Sequence, residues 1–140
     1  MEGLRVRSAD FEIGDLDDLE KLHAKLFPSD LMPEWELGDW VIATHAGDPF
    51  GFVGVESHWA ARGPAYLSRV CVLPRYAGNG FGRMLVKRAM SKARSLGPEM
   101  WTDTRKNPAS ANTLIACGFR QFAPPTPWAF QDSDYWRVKL

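Results

Sequence analysis

The stretch from Val70 to Leu85 constrains the chain most. An apolar, β-branched run ends at Pro74, passes through Gly78, Gly80 and Gly82, and opens into Phe81, Leu85, Ala89, Ala93 and Leu96 at helical spacing. That order reads as a strand, a tight loop and a helix N-terminus. Glycine at alternate positions lets the backbone turn sharply and brings its N–H groups close to a ligand with no Cβ in the way. The first N–H groups of the helix have no intrahelical partners, and the helix dipole adds positive potential at the same point. A phosphate or diphosphate suits such a place.

Length and charge narrow the reading. The glycines are spaced G-x-G-x-G rather than in the G-x-G-x-x-G dinucleotide fingerprint. The 140 residues suffice for a single domain, 1–140, but not for a nucleotide-binding fold with a separate substrate domain. Lys plus Arg and Asp plus Glu both total 17, so no basic excess favours nucleic acid or an anionic membrane, and a small-molecule partner is expected. Cys71 and Cys117 have neither metal nor redox spacing and read as buried thiols; no metal site is expected. No apolar h-region stands at the N-terminus and no apolar run approaches roughly twenty residues, so a soluble cytoplasmic protein is expected.

Around the central stretch, strand and helix patterns alternate. Leu4-Arg5-Val6-Arg7 reads as a strand with one covered face. Asp15 is placed as an N-cap ahead of Leu16, Leu19, Leu22 and Leu26, with His23 packed or solvated inside that helix and Pro28 stopping it. Ser29 to Gly38 is broken by Pro33 and predicts a short second helix or a flap. Runs from Trp40 to Thr44 and from Phe50 to His58 predict a hairpin, and a further strand runs from Ala65 to Pro74. The helix from about Gly80 to Leu96 then crosses to a parallel strand over Met100 to Thr104. Asn107 as N-cap, Pro108 and Gly118 bracket the last helix. Strands from Phe119 to Phe122 and from Tyr135 to Leu140 close the sheet, joined by a proline-rich loop carrying Trp128 and Phe130.

The segment Ala77-Gly78-Asn79-Gly80-Phe81-Gly82 resembles the acyl-CoA loop of the GNAT superfamily of N-acetyltransferases: Arg or Gln, two residues, Gly, one residue, then Gly or Ala. In this frame Ala77 stands in place of Arg or Gln. Asn107-Pro108-Ala109-Ser110, ending in Gly118-Phe119, resembles the family's Asn-x-x-Ala/Ser helix beside the pantetheine arm. The resemblance covers roughly Val70 to Phe119. It implies an α/β (α+β) fold with a mixed, mostly antiparallel sheet of about seven strands and about four helices. It also implies acetyl-CoA as cofactor and a small amine as acceptor.

Under that resemblance the loop from Gly78 to Arg83 takes the diphosphate, with Arg75, Arg83 or Lys87 reaching an outer phosphate or remaining ordinary solvated charges. Main-chain N–H groups around Val70, Cys71 and Val72 would face the developing oxyanion, with Cys71 no nucleophile. Asn107, Ser110 and Leu114 would lie along the cofactor. Glu56 is the first choice for general base, with His58 and Asp103 behind it; Glu56 and His58 share a strand face, which solvent could equally cover. Many GNAT enzymes carry a general-acid Tyr where this chain has Leu114, leaving solvent, Ser110 or Tyr135 for that role. Phe27, Met32, Trp35 and Trp128 are candidates for the acceptor wall, against plain core or loop packing. The loop carrying Trp128 is a candidate either to cover the acceptor pocket or to join a homodimer interface, against an ordinary surface loop. The rival readings are a CoA-binding or sensing module that has lost transfer, and a dinucleotide-binding protein.

Overall fold

A computed structural model describes residues 2–57 and 63–140, so His58 lies outside the described residues. Strands β1 (Leu4–Ser8), β2 (Gly38–His45), β3 (Asp48–Glu56), β4 (Ala65–Val72), β5 (Glu99–Thr104), β6 (Arg120–Gln121) and β7 (Asp134–Lys139) form one sheet in the order β1-β2-β3-β4-β5-β7-β6. Helices α1 (Asp15–Leu26) and α2 (Phe81–Ala93) pack against it, and α3 (Pro108–Ala116) packs on α2. Among the described residues only β4 and β5, joined by α2, run parallel; the other neighbours are antiparallel. A crossover helix is what a parallel pair requires.

Successive residues of β3 serve the two faces of the sheet. Phe52 meets Phe27, the C-cap of α1, at 6.5 Å between ring centres, whereas a Cβ on Gly51 would lie 3.3 Å from Leu85 Cδ1 of α2. On the α1 side Trp35, Trp40 and Phe52 form an aromatic core, with His23 edge-on to Trp35 at 5.9 Å. Gly54 makes this packing fit: a Cβ there would sit 2.4 Å from Trp40 Cζ3. Leu85, Val86, Ala89 and Ala93 form the buried stripe of α2.

Two local expectations change. The segment before β2 makes only a 3-10 turn, Trp35–Leu37, which leaves three α-helices among the described residues instead of about four. Pro28 and Pro33 each lack an N–H donor, and too few residues remain before Gly38 for a helix to propagate. At the start of α1 the cap is Gly14 at φ 95, not Asp15. The Asp15 carboxylate instead takes Arg7 Nη1 at 2.5 Å and Nη2 at 3.0 Å, plus the Asp10 N–H at 2.7 Å. Arg7, ahead of the opposing effect of burial, holds this carboxyl below its usual range. The pair ties α1 to the edge strand β1.

Candidate active site

The sheet comes apart at its parallel pair. β4 and β5 are joined only through Ala65↔Met100 and Tyr66↔Trp101. In the same strand Arg69 and Val70 stand opposite the single residue Val53, a β-bulge with Arg69 at φ 55. A cleft of about 1230 Å³ occupies the opening, lined by residues of β4, β5, α2 and α3. Beyond Tyr66 the β4 edge toward β5 has no strand partner among the described residues, although the Leu67 carbonyl accepts from Thr102 Oγ1 at 2.8 Å.

One end of the cleft is built from main chain. After β4 a 3-10 turn, Pro74–Tyr76, leads into Gly78 at φ 78 and Gly80 at φ 80, a region that disfavours any side chain. Tyr76 stacks on Phe50 at 4.1 Å and holds its hydroxyl 3.1 Å from His45 Nδ1. Asn79 Nδ2 donates to the carbonyls of Tyr76 at 3.1 Å and Ala77 at 3.2 Å, which braces the loop from within. The first intrahelical bond of α2 runs from the Met84 N–H to the Gly80 carbonyl, so the N–H groups of Phe81, Gly82 and Arg83 precede the ladder. A Cβ added to Gly78 or Gly80 would meet no protein atom within 4 Å. Open space before positive backbone ends fits a diphosphate.

The two left-handed glycines also correct the motif's frame. Arg-x-x-Gly-x-Gly fits Arg75-Tyr76-Ala77-Gly78-Asn79-Gly80, two residues earlier than the frame starting at Ala77, with arginine in first place. Gly82 belongs instead to α2, and a Cβ there would make an ordinary 3.7 Å contact with Thr113 of α3. Asn107 caps α3 by accepting from the Ser110 N–H at 3.1 Å, and Ser110, Thr113 and Leu114 line the cleft.

The other end is built from side chains. Glu56 and its cross-strand partner Tyr66 line it together with Asp103, Arg69, Phe27 and Met32. Asp103 Oδ1 accepts from the Tyr66 hydroxyl at 2.6 Å and from Trp128 Nε1 at 2.9 Å. Burial, then the Asp103 charge, push the Tyr66 hydroxyl well above its usual range, so it stays protonated at neutral pH. Cys71 lines the cleft as a thiol, pushed up to about 12 by burial, and lacks the thiolate a nucleophile needs.

Of the residues singled out from sequence, the cleft brings together Glu56, Phe27, Ala77, Gly78, Gly80, Phe81, Gly82, Arg83, Asn107, Ser110, Leu114 and the Val70-Cys71-Val72 edge. Others lie elsewhere. Trp35 is a core residue, 7 % exposed, because its ring completes the cluster with Trp40. Trp128 packs flat on Trp101 behind Asp103. The Tyr135 hydroxyl accepts from the Ala129 N–H at 3.0 Å, so it braces the loop before β7. Arg75 lies over the Tyr76 ring, 5.3 Å from its centre, and Asn79 faces the loop interior. The sequence reading does not single out Arg69 and Tyr66; the available signal is that these two, with Ser68, interrupt an otherwise apolar strand.

No curated protein matches the sequence significantly. In structure the chain is similar to an acetyltransferase from Streptococcus agalactiae, with TM-score 0.76, 19 % identity and all of both chains covered. It is similar to N-acetylglutamate synthase from Neisseria gonorrhoeae, complexed with coenzyme A and N-acetyl-glutamate: TM-score 0.77, 15 % identity, covering 98 % of this chain and 35 % of that one. It is also similar to the ribosomal-protein-S18-alanine N-acetyltransferase of Escherichia coli, at TM-score 0.71 and 19 % identity over 97 % of this chain and 93 % of that one. At such identities these likenesses show the fold alone. The model of the Acetyltransferase (GNAT) family matches residues 8–119, most of the chain. The chain therefore belongs to the GNAT acetyltransferase family, whose acyl donor is acetyl-CoA.

Proposed function

We propose that this chain acetylates the primary amine of a small-molecule or amino-acid-like acceptor by direct attack on the thioester. The observation that carries this reading is the parting of β4 from β5 after Tyr66, which joins a backbone anion cradle to a carboxylate-bearing pocket in one cleft. Acetyl-CoA, when bound, supplies the activated acetyl group. The N–H groups of Phe81, Gly82 and Arg83, with the glycine loop, hold its diphosphate. The unpaired edge of β4 over Val70 to Val72 offers main-chain donors toward the acetyl carbonyl, and preorganised donors of this kind contribute about 3 to 4 kcal/mol each to lowering a barrier.

Glu56 takes the proton from the acceptor's ammonium, directly or through one water. Asp103 holds the Tyr66 and Trp128 side chains at the same end and supplies negative charge that draws a cation in. Leu114 offers no proton to the departing sulfur; a thiol of pKa about 8.5 leaves adequately with a proton from solvent or from Ser110. Leu114 is also the one observation that favours a second reading, a domain that binds acyl-CoA without transferring it.

The test is thiol release from acetyl-CoA across a panel of primary amines, beside calorimetric titration of CoA. Turnover with any acceptor supports transfer. Binding of CoA with no turnover across the panel selects the second reading, and folded protein that binds neither CoA nor acetyl-CoA overturns both.

A further inference from the structure

Arg69 is an under-used cation at the acceptor end of the cleft. A guanidinium has five N–H donors in a planar fork. Among the described residues its hydrogen bonds are two long ones, 3.4 Å from Nη1 to Asp30 Oδ2 and 3.3 Å from Nη2 to the Leu31 carbonyl. Its Nε is enclosed with no hydrogen-bond partner among the described residues. The Asp30 side chain is 52 % exposed against 27 % for Arg69, so the ion pair is loose and solvent-screened on one side. Arg69 also sits at the bulge with φ 55, where glycine would relieve the backbone. The strand nonetheless places an arginine there, lining the cleft together with Glu56, Asp103 and Phe27.

One end of the cleft thus offers carboxylates for an ammonium and an incompletely bonded guanidinium for an anion. Resting on the transfer reading of the same site, we propose that Arg69 is a specificity residue that binds a carboxylate on the acceptor. Asp30 is the internal stand-in which that carboxylate displaces. The acceptor class is then a compound carrying both a primary amine and a carboxylate, since a carboxylate matches the guanidinium fork with two parallel hydrogen bonds where Asp30 now makes one long one.

The experiment compares free amino acids with their carboxamides, which lack the carboxylate charge, at matched concentrations of unprotonated amine, on the wild type, Arg69→Gln and Asp30→Asn. Thiol release gives KM and kcat, calorimetry gives acid binding to the CoA-loaded protein, and CoA titration alone reports an intact fold. The wild type is expected to favour an acid over its amide. Arg69→Gln is expected to raise KM for the acid about 10- to 100-fold, leaving the amide within about threefold. Asp30→Asn is expected to lower KM for the acid, because the competing carboxylate is gone. A clamp that merely fixes the segment before β2 predicts the opposite: both variants would weaken acid and amide alike, and that result overturns the proposal. Equal use of acids and amides by the wild type also overturns it. If no acceptor is turned over while CoA binds, the transfer reading fails. Calorimetry then decides the Arg69 assignment alone: acid binding lost in Arg69→Gln sustains it, and no acid binding to the wild type ends it.

Discussion

The two ends of the cleft are built in different ways. The end we assign to the coenzyme presents main-chain groups from one continuous stretch, Pro74 to Arg83, braced by the Asn79 amide and the Tyr76–Phe50 stack. The end we assign to the acceptor presents side chains from α1, the segment before β2, β3, β4 and β5, which no short stretch of sequence contains. Main-chain recognition is indifferent to side-chain identity and suits a ligand common to a family. Side-chain recognition can change residue by residue, and it is where an acceptor is chosen.

Substitutions at one end should therefore leave the other intact. The largest expected effect is at the acceptor end: Glu56→Gln should lower kcat by about 10²- to 10⁴-fold with CoA affinity unchanged by titration, as loss of a general base does. An unchanged kcat removes Glu56 as the base. At the coenzyme end, Gly80→Val places a β-branched residue at φ 80, and CoA affinity should fall about 10- to 100-fold, with the folded fraction preserved by circular dichroism. Unaltered CoA affinity would break the claim that the backbone holds the ligand.

Smaller effects act through α1, which carries Phe27 to the acceptor wall. Asp15→Asn should cost about 1 to 2 kcal/mol in denaturant unfolding at neutral pH, since Arg7 is partly exposed. The folded Asp15 carboxyl titrates below its unfolded value, so this contribution is present above pH about 4 and fades as pH falls through the depressed folded value. Its acceptor KM should rise while CoA affinity holds. His23 is 1 % exposed, and burial, then the Arg69 charge, hold its imidazole below the usual 6.5. The unfolded chain then takes up a proton that the folded chain refuses, so wild-type stability should decline as pH drops through about 6.5, and His23→Leu should flatten that limb. The smallest change is Leu114→Tyr, expected to raise kcat by less than about tenfold if sulfur protonation limits the rate at all.

The unequal legibility of the two ends follows from the same difference. The glycine loop, the Asn107 cap, the Gly118 stop at φ 96 and the covered face of β7 with Trp136 were readable because each depends on neighbours in sequence. Even there the frame slipped by two residues, since three alternate glycines look alike in a string and only φ separates Gly78 and Gly80 from the helical Gly82. Trp35 and Trp128 show the limit on the other side. An aromatic residue signals burial, but whether its ring meets a ligand, a core or a loop depends on partners such as Trp40 and Trp101, which lie on other elements.

Sequence by itself determined the strand order along the chain and the glycine turn ahead of α2, because backbone conformation and helix caps are local properties of the chain, and the resemblance carried by those motifs gave the family's cofactor. Only the tertiary structure decided where β4 leaves β5, that Arg69 turns into the cleft at a bulge, and that Asp30, Glu56 and Asp103 share its end. Those facts depend on register and long-range packing, in which a single extra residue in one strand redirects every side chain that follows.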